Sequence, residues 1–455
     1  MRHAYFIGIG GAGMSALARY FKSEGWEVSG YDRTCSWVTT ELQKDGIPVH
    51  YCDQPDLLPQ DVDDTLVVWT PAVQKDLQEL RRAECQGYTV LTRAKVLGML
   101  SMGHLCLAVA GTHGKTTTTA LTAHILTSAG DGCKAFIGGT TKNYRTNYIK
   151  GPGESIVVEA DEFNRSFLEL FPDYALITST DADHLDVYGE SAKVLDAFKA
   201  FAKRVSTLLI VKKGVLPETT ITRARVLTYH DSDRTADFHA DNIRPVVSGR
   251  FLFDLVHPGG VIRNITTGVP GRVNLQNCIA AAALALSYGV PAEKVKAGIC
   301  SFLGVSRRLD VHVDLPGAVY IDDFAHHPAE LAAAIASIRE MYPGRKLTAV
   351  FQPHLYSRTR DFADEFARVL SSVDELFLMD IYPARESPIT GVSAELILDK
   401  VTCKNREIVN KGQLLDRIRE RETDIIITFG AGDISLLAPE ISLIVREKSK
   451  KKNMP

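Results

Sequence analysis

Short apolar runs that stop abruptly at glycine or charge alternate along the chain with longer stretches in which apolar residues recur every three or four positions. The runs predict strands buried on both faces and the longer stretches predict amphipathic helices. Their succession predicts an α/β fold with parallel sheets. AYFIGIG is the first strand, AGMSALARYFKSEG a helix closed by Gly25, and WEVSGYD a second strand ending in Asp32. GIPVHY, TLVVWTPAV, the helix KDLQELRRAECQG and YTVLT continue the pattern, and TRAKVLGMLSMGH leads to the strands of CLAVA, SIVVEADE and YALITSTDADH. TLLIV, RVLTY and GRFLFDL read as extra strands, and GVPGRVNLQNCIAAAALALSYG as a polar turn followed by a helix. After SRRLDVHVD the alternation resumes in AVYIDDFAHHPAELAAAIASIREMYP, KLTAVFQPHLYSRTRDFADEFARVL, DELFLMDIYP and DIIITFGAGDI.

A chain of 455 residues exceeds one core, and at roughly 100 to 200 residues per domain it holds about three. The pattern places them at 1–103, 104–309 and 310–455. An apolar content of 45%, a charged content of 24% and a net charge of −3 give no bias toward nucleic acid or membrane surfaces. The opening MRHAYFIGIGG lacks the apolar core and cleavage site of a secretory signal, and no stretch approaches the roughly 18 apolar residues of a membrane span. A cytoplasmic chain is expected. The eight cysteines form no CxxC pair and no metal-like spacing with histidine, so they are expected to be reduced and mostly buried. The terminal REKSKKKNMP reads as a solvated, frayed tail.

Two glycine turns carry candidate chemistry. Gly8, Gly10 and Gly13 form GxGxxG between the first strand and its helix, and Asp32 follows about 20 residues later. That spacing permits a diphosphate on the helix N-terminus with a ribose or sugar hydroxyl on Asp32; a nicotinamide dinucleotide, a nucleotide sugar or a purely structural turn all satisfy it. The second turn is AVAGTHGKTTTT. Gly111 and Gly114 allow tight curvature, Lys115 supplies a charge for terminal phosphates and Thr116 a hydroxyl for a magnesium ion. The spacing is GxxGKT; Val109 stands where the longer phosphate-loop pattern has its first glycine.

Neighbouring strand ends add to this. Glu159, Asp161 and Glu162 close one strand, and Asp181, Asp183 and His184 follow another. Ligands of open α/β sheets bind beyond the carboxyl ends of strands, and carboxylate and imidazole beside a phosphate loop suit Mg²⁺ held against phosphate oxygens. Asn274 and Asn277 share the first turn of a helix and can face one ligand. In the last third, Asp322, Asp323, His326 and His327, then His354 and Arg358, form a second ligand-facing edge. GAGD at Gly430 reads as a turn.

GIGGAGMS, AGTHGKTTTT, VVEADE, DADHLD, GVPGRVNLQN, DDFAHHPAE and FQPHLYSRTRD, in that order across nearly the whole chain, resemble the Mur ligases of peptidoglycan synthesis. The resemblance implies a Rossmann-like N-terminal domain for a UDP-sugar, a central P-loop ATPase domain and a Rossmann-like C-terminal domain for an amino acid. It puts a UDP diphosphate, in place of a nicotinamide dinucleotide, on Gly8, Gly10, Gly11 and Gly13. It implies ATP- and Mg²⁺-dependent amide formation through an acyl phosphate, with the alanine-adding members as the nearest pattern and hence UDP-N-acetylmuramate and L-alanine as substrates. Within it, Gly111, Thr112, His113, Gly114, Lys115, Thr116 and Thr117 form the ATP loop and Lys115 holds the γ-phosphate. Thr116 and Glu159 bind one Mg²⁺, and His184 a second. Asn274, Asn277, Arg308 and Asp323 match ATP contacts, either Arg307 or Arg308 filling the arginine position. His327, His354 and Arg358 lie near the amino acid or the transferred phosphate. Phe324 and Ala325 replace a tyrosine and a glycine of the alanine-adding pattern, and Leu355 an arginine; Lys199 is the lysine near the position that some relatives carbamylate. A ligase that attaches a recycled peptide to the same sugar, and more distantly a nicotinamide-dependent oxidoreductase, are the competing readings.

Overall fold

The strands of this chain end where glycine or charge interrupts an apolar run, and the computed structural model orders them into three sheets. It describes residues 2–74, 76–181, 191–217, 222–384 and 386–452. Residues 1–243, 253–268 and 276–303 make one compact unit, and 244–252, 269–275 and 304–455 make another.

In the first unit, β1 (His3–Ile7), β2 (Glu27–Tyr31), β3 (Val49–His50), β4 (Thr65–Trp69) and β5 (Thr89–Thr92) form a sheet in the order β3-β2-β1-β4-β5. Every pairing in it is parallel. Strand order reverses direction beside β1, which puts the first glycine turn at the crevice where such sheets bind ligands. The helix Ala12–Ser23 buries Met14, Leu17 and Phe21 on one face. Asn147 fastens this helix to the second sheet: its Nδ2 donates to Ala12 O at 2.7 Å and to Ser15 Oγ at 2.9 Å, and Arg19 donates to its Oδ1.

The second sheet comprises β6 (Leu105–Ala110), β7 (Lys134–Phe136), β8 (Tyr148–Ile149), β9 (Ser155–Ala160), β10 (Tyr174–Ile177), β11 (Leu208–Lys212), β12 (Arg225–His230), β13 (Phe238–Pro245), β14 (Phe251–His257) and β15 (Gly260–Thr266). Their order is β15-β14-β13-β12-β11-β10-β6-β9-β7-β8. β6 lies at its heart between parallel β9 and β10, with Leu107, Ala108, Val109 and Ala110 wholly buried. The helix Lys115–Ala129 follows it, and its apolar surface is covered by the helix Ala292–Ser301, where a Cβ at Gly298 would come within 2.8 Å of Ile125. One core runs from Phe6 and Leu17 through Val158 and Phe198, so first and second sheets share it.

The second unit holds β16 (Asp310–Leu315), β17 (Ala318–Asp323), β18 (Leu347–Phe351), β19 (Glu375–Leu378), β20 (Asn405–Ile408) and β21 (Ile425–Phe429), ordered β16-β17-β21-β18-β19-β20. β16 is antiparallel to β17 and the other pairings are parallel. The α/β class with parallel-rich sheets is as the apolar pattern predicts. Two expectations are corrected. In the terminal REKSKKKNMP, Arg446, Glu447 and Lys450 are exposed as a solvated tail requires, but residues 446–452 are not frayed: they continue the helix Ala438–Lys452, in which Ile441, Ile444 and Val445 recur at helical spacing and bury one face against β16 and β17. The eight cysteines are free, as expected, but only Cys106, Cys133, Cys278 and Cys403 are buried; Cys35, Cys52, Cys85 and Cys300 are exposed.

Among the described residues no helix is long and apolar enough to cross a membrane.

Candidate active site

The second glycine turn is built by the ends of β6 and β10. Gly111 has φ +137°, and a Cβ there would come 2.0 Å from Thr178 Oγ1, so only glycine fits. Thr178 Oγ1 donates to His113 O, Ser179 Oγ accepts from His113 N at 2.9 Å, and Thr112 N donates to Ser179 O at 3.2 Å. His113 Nε2 faces Asp181 Oδ2 at 3.5 Å. The braced loop ends at Gly114 (φ +80°), and the helix begins at Lys115. The first amides of a helix have no intrahelical acceptor, so those of Lys115, Thr116 and Thr117 gather at a positive helix end suited to phosphate.

Lys115 folds back over this loop. Its ammonium donates to Gly111 O at 2.5 Å and pairs with Glu162 Oε2 at 2.8 Å, and Glu162 is 1% exposed. Burial works against the Lys115 charge, but Glu162, then Asp161 and Glu159, outweigh it and raise the amine above the ordinary lysine range. Thr116 Oγ1 donates to Glu159 Oε1 at 2.8 Å, and Gly138 N donates to Glu159 Oε2 at 2.7 Å. Gly138 was not legible as a site residue. A Cβ there would lie 2.6 Å from both Glu159 oxygens, so the glycine clears room for the carboxylate, and its sequence signal is the GG that follows β7.

The two asparagines of the helix Arg272–Tyr288 take different partners. Asn277 Oδ1 accepts from Thr118 Oγ1 at 3.2 Å and lies against Gly114, whereas Asn274 Nδ2 donates to Pro270 O at 2.6 Å. Asp183 and His184 lie outside the described residues. Lys199 pairs with Asp196 at 3.1 Å. At the first turn, Asp32 Oδ2 accepts from Gly10 N at 2.8 Å and Oδ1 from Thr34 N at 3.0 Å, so the aspartate shapes the glycine loop itself. Gly11 caps the helix Ala12–Ser23, whose first turn carries no acid to repel an anion.

In the second unit, the ends of β17 and β18 carry the other candidates. Asp323 Oδ2 accepts from Leu309 N at 2.6 Å and Oδ1 from Ala325 N at 2.7 Å; burial, opposed by Arg308 and these amides, lifts its pKa to about 6. The structure separates the adjacent arginines. Both guanidinium groups lie 5.0 Å over the Phe324 ring, but Arg307 is also committed to Asp322 at 3.2 Å and to Gly430 O, while Arg308 acts on Asp323. Phe324, His326, His354 and Tyr382 follow one another in ring contact. His327 caps the helix Pro328–Met341 and meets Phe362 edge-on at 4.7 Å. Two departures from the alanine-adding pattern turn inward: Ala325 is 1% exposed and Leu355 6%, the latter with φ +74° and its N–H on Tyr382 O.

Burial, with Arg358 and Arg308 adding to it and Glu330 opposing, lowers the His326 pKa from 6.5 to about 4. A group depressed in this way stabilises the fold above its unfolded pKa, and that stability is lost as pH falls from about 6.5 through about 4. Because the ring keeps some solvent contact, the loss between pH 7 and pH 5 is at most about 2 kcal/mol. His326→Gln is expected to lose this share, which thermal melts of both proteins at the two pH values will read as a smaller drop in Tm for the variant.

Three family models match the chain: "Mur ligase family, catalytic domain" over residues 3–104, "Mur ligase middle domain" over 109–285, and "Mur ligase, glutamate ligase domain" over 307–432. The chain is 47% identical over 453 residues to a UDP-N-acetylmuramate–L-alanine ligase of Flavobacterium psychrophilum, covering 98% of this chain and 99% of that one. It is 45% identical over 445 residues to the enzyme of the same name from Porphyromonas gingivalis, with 96% and 97% covered. Its fold superposes with a TM-score of 0.81 on the crystal structure of a UDP-N-acetylmuramate–alanine ligase from Thermotoga maritima, at 27% identity and with all of both chains covered. A murein peptide ligase from Psychrobacter arcticus shares the fold, with a TM-score of 0.71 at 21% identity.

Proposed function

We propose, from the premise that this chain belongs to the Mur ligase family, that it joins L-alanine to the lactyl carboxylate of UDP-N-acetylmuramate and releases ADP and phosphate. The observation that carries the acceptor is 47% identity along 453 residues to an alanine ligase. The chemistry rests on Lys115, Thr116 and Glu159 meeting at the ends of the adjacent strands β6 and β9.

A carboxylate is a poor electrophile, so amide formation needs activation. One carboxylate oxygen of the sugar attacks the γ-phosphorus of ATP, the β,γ-bridging bond breaks toward ADP, and an acyl phosphate results. The neutral α-amine then attacks the acyl carbon, the tetrahedral adduct collapses with loss of phosphate, and the ammonium proton passes to solvent or base. Transfer of this kind depends on positioning and charge neutralisation. Lys115 is assigned to the γ-phosphate, with the amides of residues 114–117 cradling its neighbours. Asn274, Asn277, Arg308 and Asp323 are carried forward as nucleotide contacts, and His327, His354 and Arg358 as contacts to the amino acid or the transferred phosphate. Gly8, Gly10, Gly11, Gly13 and Asp32 are assigned to the sugar nucleotide.

Magnesium is proposed at Thr116 and Glu159. Thr116 Oγ1 and Glu159 Oε1 are 2.8 Å apart, so a hydroxyl and a carboxylate oxygen, the donors a hard cation takes, stand side by side next to the phosphate loop. Among the described residues no group of three or more His, Cys, Asp or Glu could hold a metal, so phosphate oxygens and water complete the sphere in this reading. His184, outside the described residues, is assigned to a second ion. Bound there, the cation would neutralise charge on the phosphates.

An acceptor screen tests the reading. ADP release with UDP-N-acetylmuramate is expected to prefer L-alanine, in kcat/KM, by at least about tenfold over glycine, L-serine and the tripeptide of a recycling ligase. Preference for the tripeptide would move the chain to that other activity, and turnover of a nicotinamide cofactor without ATP would overturn the family chemistry.

A further inference from the structure

Asp161 and Glu162 are neighbours in sequence and point to two different anion sites. Glu162 holds Lys115. Asp161 Oδ2 holds Arg93 Nη2 at 3.1 Å, and Arg93, the first residue of the helix Arg93–Met102, lies on the first glycine turn: a Cβ at Gly13 would come within 2.8 Å of its Nη1. A continuous file of charge thus runs from the sugar-nucleotide turn through Arg93, Asp161 and Glu162 to the phosphate-loop lysine. All of it belongs to the first unit.

The backbone that carries the two carboxylates is unusual. Asn164 (φ +53°) and Arg165 (φ +56°) are successive non-glycine residues in the left-handed region, and Arg165 N donates to Glu162 O at 2.9 Å. Strain of this kind persists where surrounding contacts impose it, and it clusters at ligand clamps and switch segments. Asp161 contributes to holding the turn: its Oδ1 accepts from Phe163 N at 3.0 Å and its carbonyl from Phe167 N at 2.9 Å.

We propose that Arg93 and Asp161 are positioning residues that couple the two ligand sites: a diphosphate on the Gly8–Gly13 turn draws Arg93 from Asp161, the strained turn shifts, and Glu162 releases Lys115 to ATP. The inference rests on the proposed function for the identity of the two ligands. The competition is between anions. Glu162 and a γ-phosphate both need the Lys115 ammonium, and the sugar diphosphate and Asp161 both need the Arg93 guanidinium. Each ligand therefore removes an obstacle to the other, and by linkage each tightens the other by the same factor.

Binding of the β,γ-imido analogue of ATP is to be titrated calorimetrically with and without UDP-N-acetylmuramate, in the presence of magnesium, on the full chain and on Arg93→Gln and Asp161→Asn. In the unsubstituted protein the sugar nucleotide is expected to tighten the analogue by about 5- to 50-fold. In Asp161→Asn, which removes the charge that pairs with Arg93 while leaving Arg93 for the sugar and the turn's own hydrogen bonds in place, the analogue alone is expected to bind about as tightly as it does to the sugar-loaded parent, with a coupling factor near one. Arg93→Gln is expected to lose coupling likewise and to bind the sugar more weakly. A purely structural role would weaken the analogue in both variants with and without sugar, which overturns the proposal, as does unchanged coupling in a folded variant or a factor near one in the parent. Failure of the parent to bind either ligand would instead refute the proposed function.

Discussion

Lys115→Ala is expected to lower ADP release by at least about 10³-fold, the largest effect of any single substitution in the chain, because the variant lacks the ammonium held on the phosphate loop where charge develops during transfer. The same change removes the ammonium 2.8 Å from Glu162, which is 1% exposed. Removing one partner of a buried ion pair costs about 3 kcal/mol or more, so the variant will also melt earlier. Lys115→Ala combined with Glu162→Gln separates the two effects. The double variant is expected to regain most of the lost Tm while remaining inactive. Recovery of turnover along with Tm would show that Lys115 acts through stability, and the assignment to the γ-phosphate would fall.

Glu159→Gln comes second. Glutamine is isosteric and can still accept from Gly138 N and donate to Thr116 Oγ1, so the contacts at 2.7 and 2.8 Å keep their geometry while the charge disappears. An expected fall in kcat of about 10²-fold, with little change in Tm, isolates electrostatics from packing. The magnesium concentration for half-maximal rate is expected to rise several-fold. An unchanged magnesium dependence would leave Glu159 as a brace for the Gly138 turn and remove it from the proposed metal site.

The parts of this site that the sequence announces are those written within one contiguous stretch. GTHGKT spells a turn, a cation and a hydroxyl in order, and VVEADE spells a strand that ends in acid. What it conceals is adjacency created by strand order. β10, β6, β9 and β7 are neighbours in the sheet, and that order brings Thr178, Ser179 and Gly138 to the loop although no local pattern connects them. The pairing of Arg93 with Asp161, 68 positions apart, is invisible for the same reason. The adjacent arginines illustrate a different limit. Only the fold commits Arg307 to Asp322 and Gly430, because the sequence treats the two guanidinium groups as equivalent. The order of the basic tail is concealed for another reason: its lysines dominate the local composition, whereas the helix that runs into it is set by the spacing of Ile441, Ile444 and Val445 just before them.

The interleaving of the two units bears on how the chain is made. Residues 276–303 complete the first unit after the chain has twice left it, and they include the helix Ala292–Ser301 that covers the helix Lys115–Ala129. His124 Nε2 meets Ser301 Oγ across that contact at 2.9 Å. At a synthesis rate of about 5–20 residues per second, the phosphate-loop helix leaves the ribosome on the order of ten seconds or more before its cover exists. During that interval its apolar side is open to solvent and to other nascent chains. A fragment ending before the helix Ala292–Ser301 holds that state permanently, so any piece that carries the helix Lys115–Ala129 is best expressed at least through residue 303.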